Sequence, residues 1–461
     1  MSISRKIHVA SLDSTERLNR PARPMLCVLT LQSRVQSVNP CGYLVALIFF
    51  GLFFIVPVIA NADEEAVVYW NPWVTKTTIN SATVNWHGES NKAGEVEYTT
   101  SSYYNEHHHF DNKTVSHIEN AYQHVQLTDL EPDTSYVYRV TTSESGHVFP
   151  VRAFRTMPTG GPFTFIVISD THAQEQRFKY VAAAIAANET DVLFILDGGD
   201  YPGHDSEDQW TQYFEAADVM LAKFSIFTTI GNHEYHNGDG DTPTDADQYH
   251  WSFDIPPDGA LNYSFDCSGI RFIVLDSPDP LTGEDPHPSL ALSQSQAPWL
   301  KGLLKDDMAG VFTIHHHPIW DYFNYTNNPN LQPWENLYHA YHISANFAGH
   351  THTYQRYSVW GIPYFIVGNG GGAFSDLVSD SIPVWFVKGI TRNLGYLKVT
   401  VDPANNTATA QEILIGSVVN DTDTDVTLYT PYTFDTLTFP LKPSPSGASS
   451  GCFIATAASG S

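Results

Sequence analysis

Apolar residues gather in short continuous runs through the middle of the chain, and each run hands over to a loop carrying Asp, Asn or His. The runs cover residues 163–168, 192–196, 224–230, 311–314 and 343–347, and are rich in Val, Ile and Phe. Runs of this length suit strands covered on both faces. A helical pattern over residues 177–188 separates the first two, which predicts strand–helix alternation in an α/β domain. In such sheets the loops beyond the strand C-termini converge on one crevice, so residues far apart in sequence meet there. A buried core with polar loop ends explains the apolar runs. It does not explain why each loop carries Asp, Asn or His.

The polar blocks are Ser169-Asp170-Thr171-His172, Gly198-Gly199-Asp200-Tyr201, Gly231-Asn232-His233-Glu234, His315-His316-His317-Pro318 and Gly349-His350-Thr351-His352. Any one alone is most often a turn or a satisfied surface group; all of them in this order spell a site for two metal ions. Asp170, His172 and His352 suit a first ion, and Asn232, His316 and His350 a second. Asp200 is the natural bridge, because a carboxylate has two oxygens. Mixed oxygen and imidazole donors favour Zn, Fe or Mn over Ca or Mg, and the lack of thiolates argues against a structural zinc site. Two divalent ions set against two carboxylates make a positive trap for phosphate. Ions roughly 3.5–4 Å apart can acidify water and clamp the attacking and leaving oxygens of an in-line displacement.

His233 directly follows Asn232 and is the candidate general acid for a departing alkoxide, weighed against a purely orienting role. Glu234 is expected to orient it through a hydrogen bond. His204, His317, Tyr354 and Arg356 are candidate substrate contacts, each weighed against being an ordinary surface residue.

The five blocks resemble the signature of calcineurin-like metallophosphoesterases. The preceding region, with Val84-Asn85-Trp86, Val96-Glu97-Tyr98, Leu130-Glu131-Pro132-Asp133-Thr134-Ser135-Tyr136 and Phe154-Arg155-Thr156, resembles the N-terminal fibronectin-type domain of purple acid phosphatases. Its Leu-x-Pro-x-Thr-x-Tyr string also reads by itself as a sandwich corner, with the Tyr hydroxyl tied back to backbone. The resemblance implies a fibronectin III-like β-sandwich over residues 63–157, then a four-layer α/β/β/α metallophosphoesterase domain over residues 163–441. It also implies departures. Purple acid phosphatases place a Tyr ligand three residues after the bridging Asp, where this chain has Gly203, and they lack a counterpart of His172. An imidazole thus stands in for the tyrosinate, as in the broader family.

Composition and the chain ends refine this picture. Residues 1–42 carry Arg5, Lys6, Arg17, Arg20, Arg23 and Arg34, residues 43–59 are almost wholly apolar, and Ala60-Asn61-Ala62 offers small residues to a signal peptidase. Residues 1–62 therefore read as a signal peptide cleaved before Asp63, with an uncleaved membrane anchor as the alternative. Without residues 1–62 the chain keeps 17 Lys and Arg against 48 Asp and Glu, a net charge of −31 that leaves no basic patch for nucleic acid. Cys267 lies in an apolar stretch and reads as a core thiol, so no disulfide framework is implied. The triplet His107-His108-His109 reads as a solvated loop. Residues 157–162 mark a domain boundary. Residues 394–401 and 407–415, separated by a turn at 402–406, read as closing strands of the catalytic domain's second sheet. Residues 442–461 form a Pro/Ser/Gly linker leading to Cys452-Phe453-Ile454-Ala455-Thr456-Ala457-Ala458, which resembles a C-terminal element of exported bacterial proteins.

The expected protein is a secreted or periplasmic phosphoric ester hydrolase acting on a small phosphorylated substrate, most simply a phosphomonoester. A phosphodiesterase or nucleotidase would use the same centre. A surface-binding protein that kept the fold without turnover, or a membrane-tethered adhesion module, are the readings from other classes. Metal identity, substrate and oligomeric state stay open at this point.

Overall fold

In the strands of the N-terminal region, buried and part-exposed positions alternate as one-sided sheets require; in β6 (Ser135–Thr142) every second residue is buried. The other strands there are β1 (Trp70–Thr75), β2 (Ala82–His87), β3 (Gly94–Thr100), β4 (Asn112–Val115), β5 (Tyr122–Leu127) and β7 (Arg152–Arg155), with helix α1 (Ser101–His107) after β3. A β4-β3-β6-β7 sheet faces β1-β2-β5 across a core that includes Val84, Trp86, Val96, Tyr138 and Phe154. The expected corner is present: the Tyr136 hydroxyl accepts the Glu131 N–H at 2.9 Å. The computed structural model describes residues 67–442 apart from 90–92, 117–119, 144, 173–175, 237–244, 256–258, 284, 323–326, 375, 378–381 and 420–425. The targeting segment and the Cys452 tail lie outside the described residues.

The second region begins with β8 (Phe163–Ile168), α2 (Arg177–Asn188), β9 (Phe194–Asp197), α3 (Glu207–Leu221), β10 (Ser225–Thr228) and α4 (Asp247–Ser252). Next come β11 (Tyr263–Cys267), β12 (Ile270–Val274), α5 (Leu290–Leu304), β13 (Gly310–Ile314), α6 (Gln332–Tyr341) and β14 (Ala345–Ala348). The chain closes with β15 (Tyr354–Val359), β16 (Ile362–Val367), β17 (Phe386–Ile390), β18 (Asn393–Asp402), β19 (Thr407–Val418) and β20 (Val426–Pro440). Two sheets pack face to face through Phe165, Phe194, Phe272, Phe312 and Phe347. Helices α2 and α3 cover the outer face of the first sheet, burying Phe178, Ile185 and Tyr213 against Ile166 and Ile195. Helices α5 and α6 cover the second, burying Leu300, Trp334 and Tyr338 against Ile273 and Ile366. This is the α/β/β/α order expected from the sequence.

Three particulars differ from the sequence reading. Strands β18 and β19 close the first sheet rather than the second: β18 lies antiparallel to β8, with Leu397 opposite Val167, and takes the edge that the parallel set β8-β9-β10 leaves free. The boundary at residues 157–162 does not separate two independent sheets. Thr75 of β1 pairs in parallel with Ile226 of β10, so one sheet runs β20-β19-β18-β8-β9-β10-β1-β2-β5 through both regions. The His triplet sits at a helix end: His107 closes α1 and His108 caps it in the left-handed conformation, both solvated. Cys267 is a core thiol as expected, its pKa pushed up to about 12 by burial.

Candidate metal centre

Each block lies just past the C-terminal end of a strand, after β8, β9, β10, β13 and β14, where the two sheets open onto one crevice. Loops meet there so tightly that backbone must lie against backbone. A Cβ on Gly231 would fall 2.2 Å from Asp200 Oδ1, and one on Gly349 would fall 2.0 Å from Ser169 Oγ. Four of the seven candidate ligands adopt positive φ: Asp170 (57°), His172 (41°), Asp200 (59°) and His350 (66°). Such conformations cost non-glycine residues about 1–3 kcal/mol each and gather at functional sites, where the surroundings over-determine them.

The seven side chains form two groups that share one carboxylate. Asp170, His172, Asp200 and His352 make the first, and Asp200, His316 and His350 the second, each with donor atoms within 4.8 Å of one another. Asn232 completes the second: its Oδ1 lies 2.9 Å from His316 Nε2 and 3.1 Å from His350 Nδ1. Asp200 faces both groups with a single oxygen. Its Oδ2 is 3.1 Å from His316 Nε2 and 3.5 Å from His172 Nε2, while Oδ1 accepts the His233 N–H at 3.0 Å. Oδ2 is thus the oxygen that faces both groups, and Oδ1 also ties down the His233 backbone.

Electrostatics fit a cation at each group. Among the described residues, His172 Nε2 and Asp170 Oδ1 are buried without a hydrogen-bond partner, and Asp170 Oδ1 lies 3.4 Å from the His352 ring. Burial, and then the neighbouring histidines, lower His172 and His350 to about 4, so both rings are neutral. Burial opposes ionisation of Asp200, but His316 and His233 outweigh it and hold the carboxyl well below its usual range. Asp170 is likewise lowered, against burial, by His352 and His316. His316 is raised to about 10: burial works against its charge, and Asp200 and Asp170 more than offset it. Neutral imidazoles and ionised carboxylates are the forms metal ligands must take, and an ion held here would have to displace the His316 proton.

The second layer of contacts fixes these orientations. His316 Nδ1 donates to Gly198 O at 2.8 Å, and the Asp170 Oδ2 accepts the His350 N–H at 2.9 Å. Asn232 is oriented by Asp285, whose Oδ1 accepts from Nδ2 at 2.8 Å and so turns the amide oxygen inward. That carboxylate lies also 3.5 Å from His236 Nε2, and the His236 ring stacks on His233 with centroids 4.8 Å apart. Neither Asp285 nor His236 was singled out from the sequence. The Gly-rich loop at 368–372 was not recognised either: Gly370 N–H donates to Ser169 O and Gly372 N–H to Asp170 O, closing the crevice over the first group.

Residues 163–354 match the family model for the calcineurin-like phosphoesterase, and residues 70–156 match that for the purple acid phosphatase N-terminal domain. The chain carries a calcineurin-like phosphoesterase domain behind a purple acid phosphatase N-terminal domain. It is similar to purple acid phosphatase 15 of Arabidopsis thaliana, 23% identical over 56% of this chain and 55% of that protein. It also resembles Fe(3+)-Zn(2+) purple acid phosphatase 12 of the same plant, 25% identical over 69% of this chain and 67% of that one. The fold matches the structure of purple acid phosphatase PPD1 from yellow lupin seeds with a TM-score of 0.60, at 15% identity over 80% of this chain and 74% of the other. The first of these alignments spans little more than half of the relative's own length.

Against that family frame, the phosphoesterase domain departs where the sequence says it does. Gly203 has no side chain to offer, and Tyr201 is 0% exposed, stacked on Trp210 in the core beneath the loop. Pro202 follows Tyr201, and the chain turns the phenol away from Asp200. His172 fills the first group instead.

The expectations for Glu234, Tyr354, Arg356 and His317 need correction. Glu234 does not serve His233; its carboxylate accepts the N–H groups of Asp200 (3.1 Å), Tyr201 (2.8 Å) and Gly231 (2.6 Å), tying two ligand loops together. His233 is held instead by Gly203 O, 2.6 Å from Nδ1. Tyr354 and Arg356 lie inward on β15, where both bond the Asp435 carboxylate, at 2.8 Å and 2.6 Å, and neither faces substrate. His317, expected to be open, is 1% exposed; its N–H donates to Ser277 Oγ and its ring packs on His350. His204 is half-buried on the loop after Asp200, with no hydrogen bond or ion pair of its ring to either ligand group among the described residues.

Proposed function

We propose that the chain is a metal-dependent phosphoric ester hydrolase that cleaves phosphomonoesters, using Asp170, His172, Asp200, Asn232, His316, His350 and His352 to hold two ions. One observation carries the reading: two ligand groups meet at a single carboxylate oxygen, Asp200 Oδ2. When bound there, a pair of transition-metal ions supplies an activated water and charge stabilisation for in-line displacement at phosphorus.

The chain's own residues then have definable tasks. His233 points Nε2 toward the shared oxygen, 4.0 Å from Asp200 Oδ2, and its side chain is 28% exposed, so solvent and substrate reach it. Gly203 O can only accept, so Nδ1 carries a hydrogen and Nε2 is the atom that holds or gives a proton. This arrangement supports the acid role, since a departing alkoxide needs a proton donor beside it. Asn232, a neutral ligand, keeps the centre positive enough to attract a dianionic phosphate. The intact donor set favours turnover over a binding-only role. Export rests on the sequence of residues 1–62; among the described residues, no helix is long and apolar enough to cross a membrane.

The test is the rate of the metal-loaded protein on a matched aryl phosphate and bis-aryl phosphate. Faster cleavage of the monoester supports the proposal. Preference for the diester replaces it with the phosphodiesterase reading, and no cleavage of either overturns it.

A further inference from the structure

We propose that the carboxylate of Asp285 makes this centre select phosphomonoesters whose alcohol portion is uncharged or cationic, and reject those carrying a second anionic group. The inference rests on the phosphoesterase reading and names the substrate class for it. Asp285 belongs to the loop between β12 and α5, whose base is closed by the pairing of Asp279 with His287. Its Oδ1 is hydrogen-bonded to Asn232 Nδ2, so the charge stands one side chain away from the second ligand group. Yet the side chain is 71% exposed. A fixed negative charge thus sits on the rim of the crevice, where the non-reacting part of a bound phosphoester must lie.

Its nearest counter-group among the described residues is the His236 imidazole, and the surrounding sequence supplies no lysine or arginine. Residues 181–222, 224–270, 272–300, 306–355 and 357–387 contain no Lys or Arg, and these stretches supply every ligand loop beyond the first. Arg177, which follows the first loop, is 0% exposed, with its guanidinium on the Phe374 ring and on Gly372 O behind that loop. Arg356 and Lys388 are engaged by Asp435. His236, the imidazole nearest to Asp285, already faces it at 3.5 Å. The reacting phosphoryl group can be matched by bound ions and His233. A carboxylate or a further phosphate on the leaving alcohol finds Asp285 and no lysine or arginine from the ligand loops beyond the first.

Two like charges about 8 Å apart, at an effective dielectric of about 20–40, differ from a neutral pairing by roughly ten-fold in rate, or ~1.4 kcal/mol. An ammonium in the same place gains by a similar factor, and both effects shrink with salt.

The experiment compares kcat/KM of the metal-loaded full chain for 2-aminoethyl phosphate and phosphoglycolate, which differ mainly in carrying an ammonium or a carboxylate, with an aryl phosphate as reference. The expected ratio favours 2-aminoethyl phosphate by ten-fold or more and falls as salt is raised. Asp285→Asn retains an oxygen acceptor for Asn232 but removes the charge, so it should bring the ratio to within a few-fold of one. A purely structural role would lower both rates together and leave the ratio unmoved. Equal kcat/KM in the wild-type chain, or an unchanged ratio in Asp285→Asn, overturns the inference while aryl phosphate cleavage keeps the phosphoesterase reading. No cleavage of any of the three overturns both.

Discussion

Replacing Glu234 separates two accounts of the residue that follows His233. Were it the partner of His233, its loss would copy loss of the imidazole, with metal retained and turnover slowed. The geometry instead gives it three backbone N–H groups, on Asp200, Tyr201 and Gly231, all buried. Burial, and then Asp200, push the Glu234 carboxyl up to about 8, so its hydrogen bonds count as neutral ones worth roughly 0.5–1.5 kcal/mol each, and an N–H left buried without a partner costs about 1–3 kcal/mol. Water entering the cavity left by Glu234→Ala would recover part of this, so the net loss should be about 3–5 kcal/mol, a large share of a typical ~5–15 kcal/mol. That corresponds to a Tm lowered by roughly 3–6 °C for a chain of this size. Glu234→Gln keeps one oxygen but turns an NH₂ toward an N–H, so it should fall between wild type and Glu234→Ala. Because the Asp200 and Asn232 loops are the ones untied, both variants should also bind metal more weakly. Thermal unfolding with and without metal, together with metal titration, reads both effects. Wild-type Tm and metal affinity in Glu234→Ala, with only turnover slowed, would refute the bracing role and restore the sequence-based one.

Other outcomes follow from the same geometry. His233→Ala should keep its metals but turn over roughly 10²–10⁴-fold more slowly, with the smaller losses on nitrophenyl esters, whose leaving groups need no proton; equal losses across leaving groups would count against the acid role. The iron-loaded protein should show no purple band, because Gly203 offers no phenolate and Tyr201 is buried away from the centre; an intense visible band that disappears in Tyr201→Phe would contradict the assignment of His172. Burial pushes the Glu412 carboxyl up to about 8, with Asn369 opposing and Asp435 adding to it. A raised folded value favours the protonated form, so this contribution to stability is full below pH 4.5 and is lost as pH rises through about 8. Glu412→Gln should therefore flatten the fall of Tm across that window, and superimposable pH profiles for the two proteins would reject the assignment.

The ligands were legible in the sequence because the chemistry restricts residue type and the sheet restricts place: a donor must follow a buried strand. Asp170, Asp200, Asn232, His316 and His350 each follow an apolar run, and the strands are where those runs predict them. The contacts that orient the ligands were not legible. Asp285 lies 53 residues from the Asn232 it holds, and Asp435 lies 79 from Arg356, with no local pattern joining either pair. Tyr354 and Arg356 looked like surface residues because a Tyr and an Arg beside a motif usually are; a buried carboxylate on β20 pulls both inward. Strand allocation failed for a similar reason. Apolar alternation in β18 and β19 states that they are strands, but which free edge they take depends on β8, more than 200 residues away in sequence, as the Thr164 to Thr400 contact shows. Sequence adjacency pairs Glu234 with His233, whereas within the short helical turn His233–Tyr235 its side chain points back to the loops it braces.

The central claim is a two-ion centre joined at Asp200, and metal stoichiometry tests it most directly. Wild-type protein equilibrated with zinc or manganese and freed of excess should hold two ions per chain. His172→Ala and Asn232→Ala should each lose one of them, from opposite sides, and Asp200→Asn should weaken both together. A wild-type chain that binds one ion or none, or an Asp200→Asn variant that keeps two with unchanged affinity, would contradict the account.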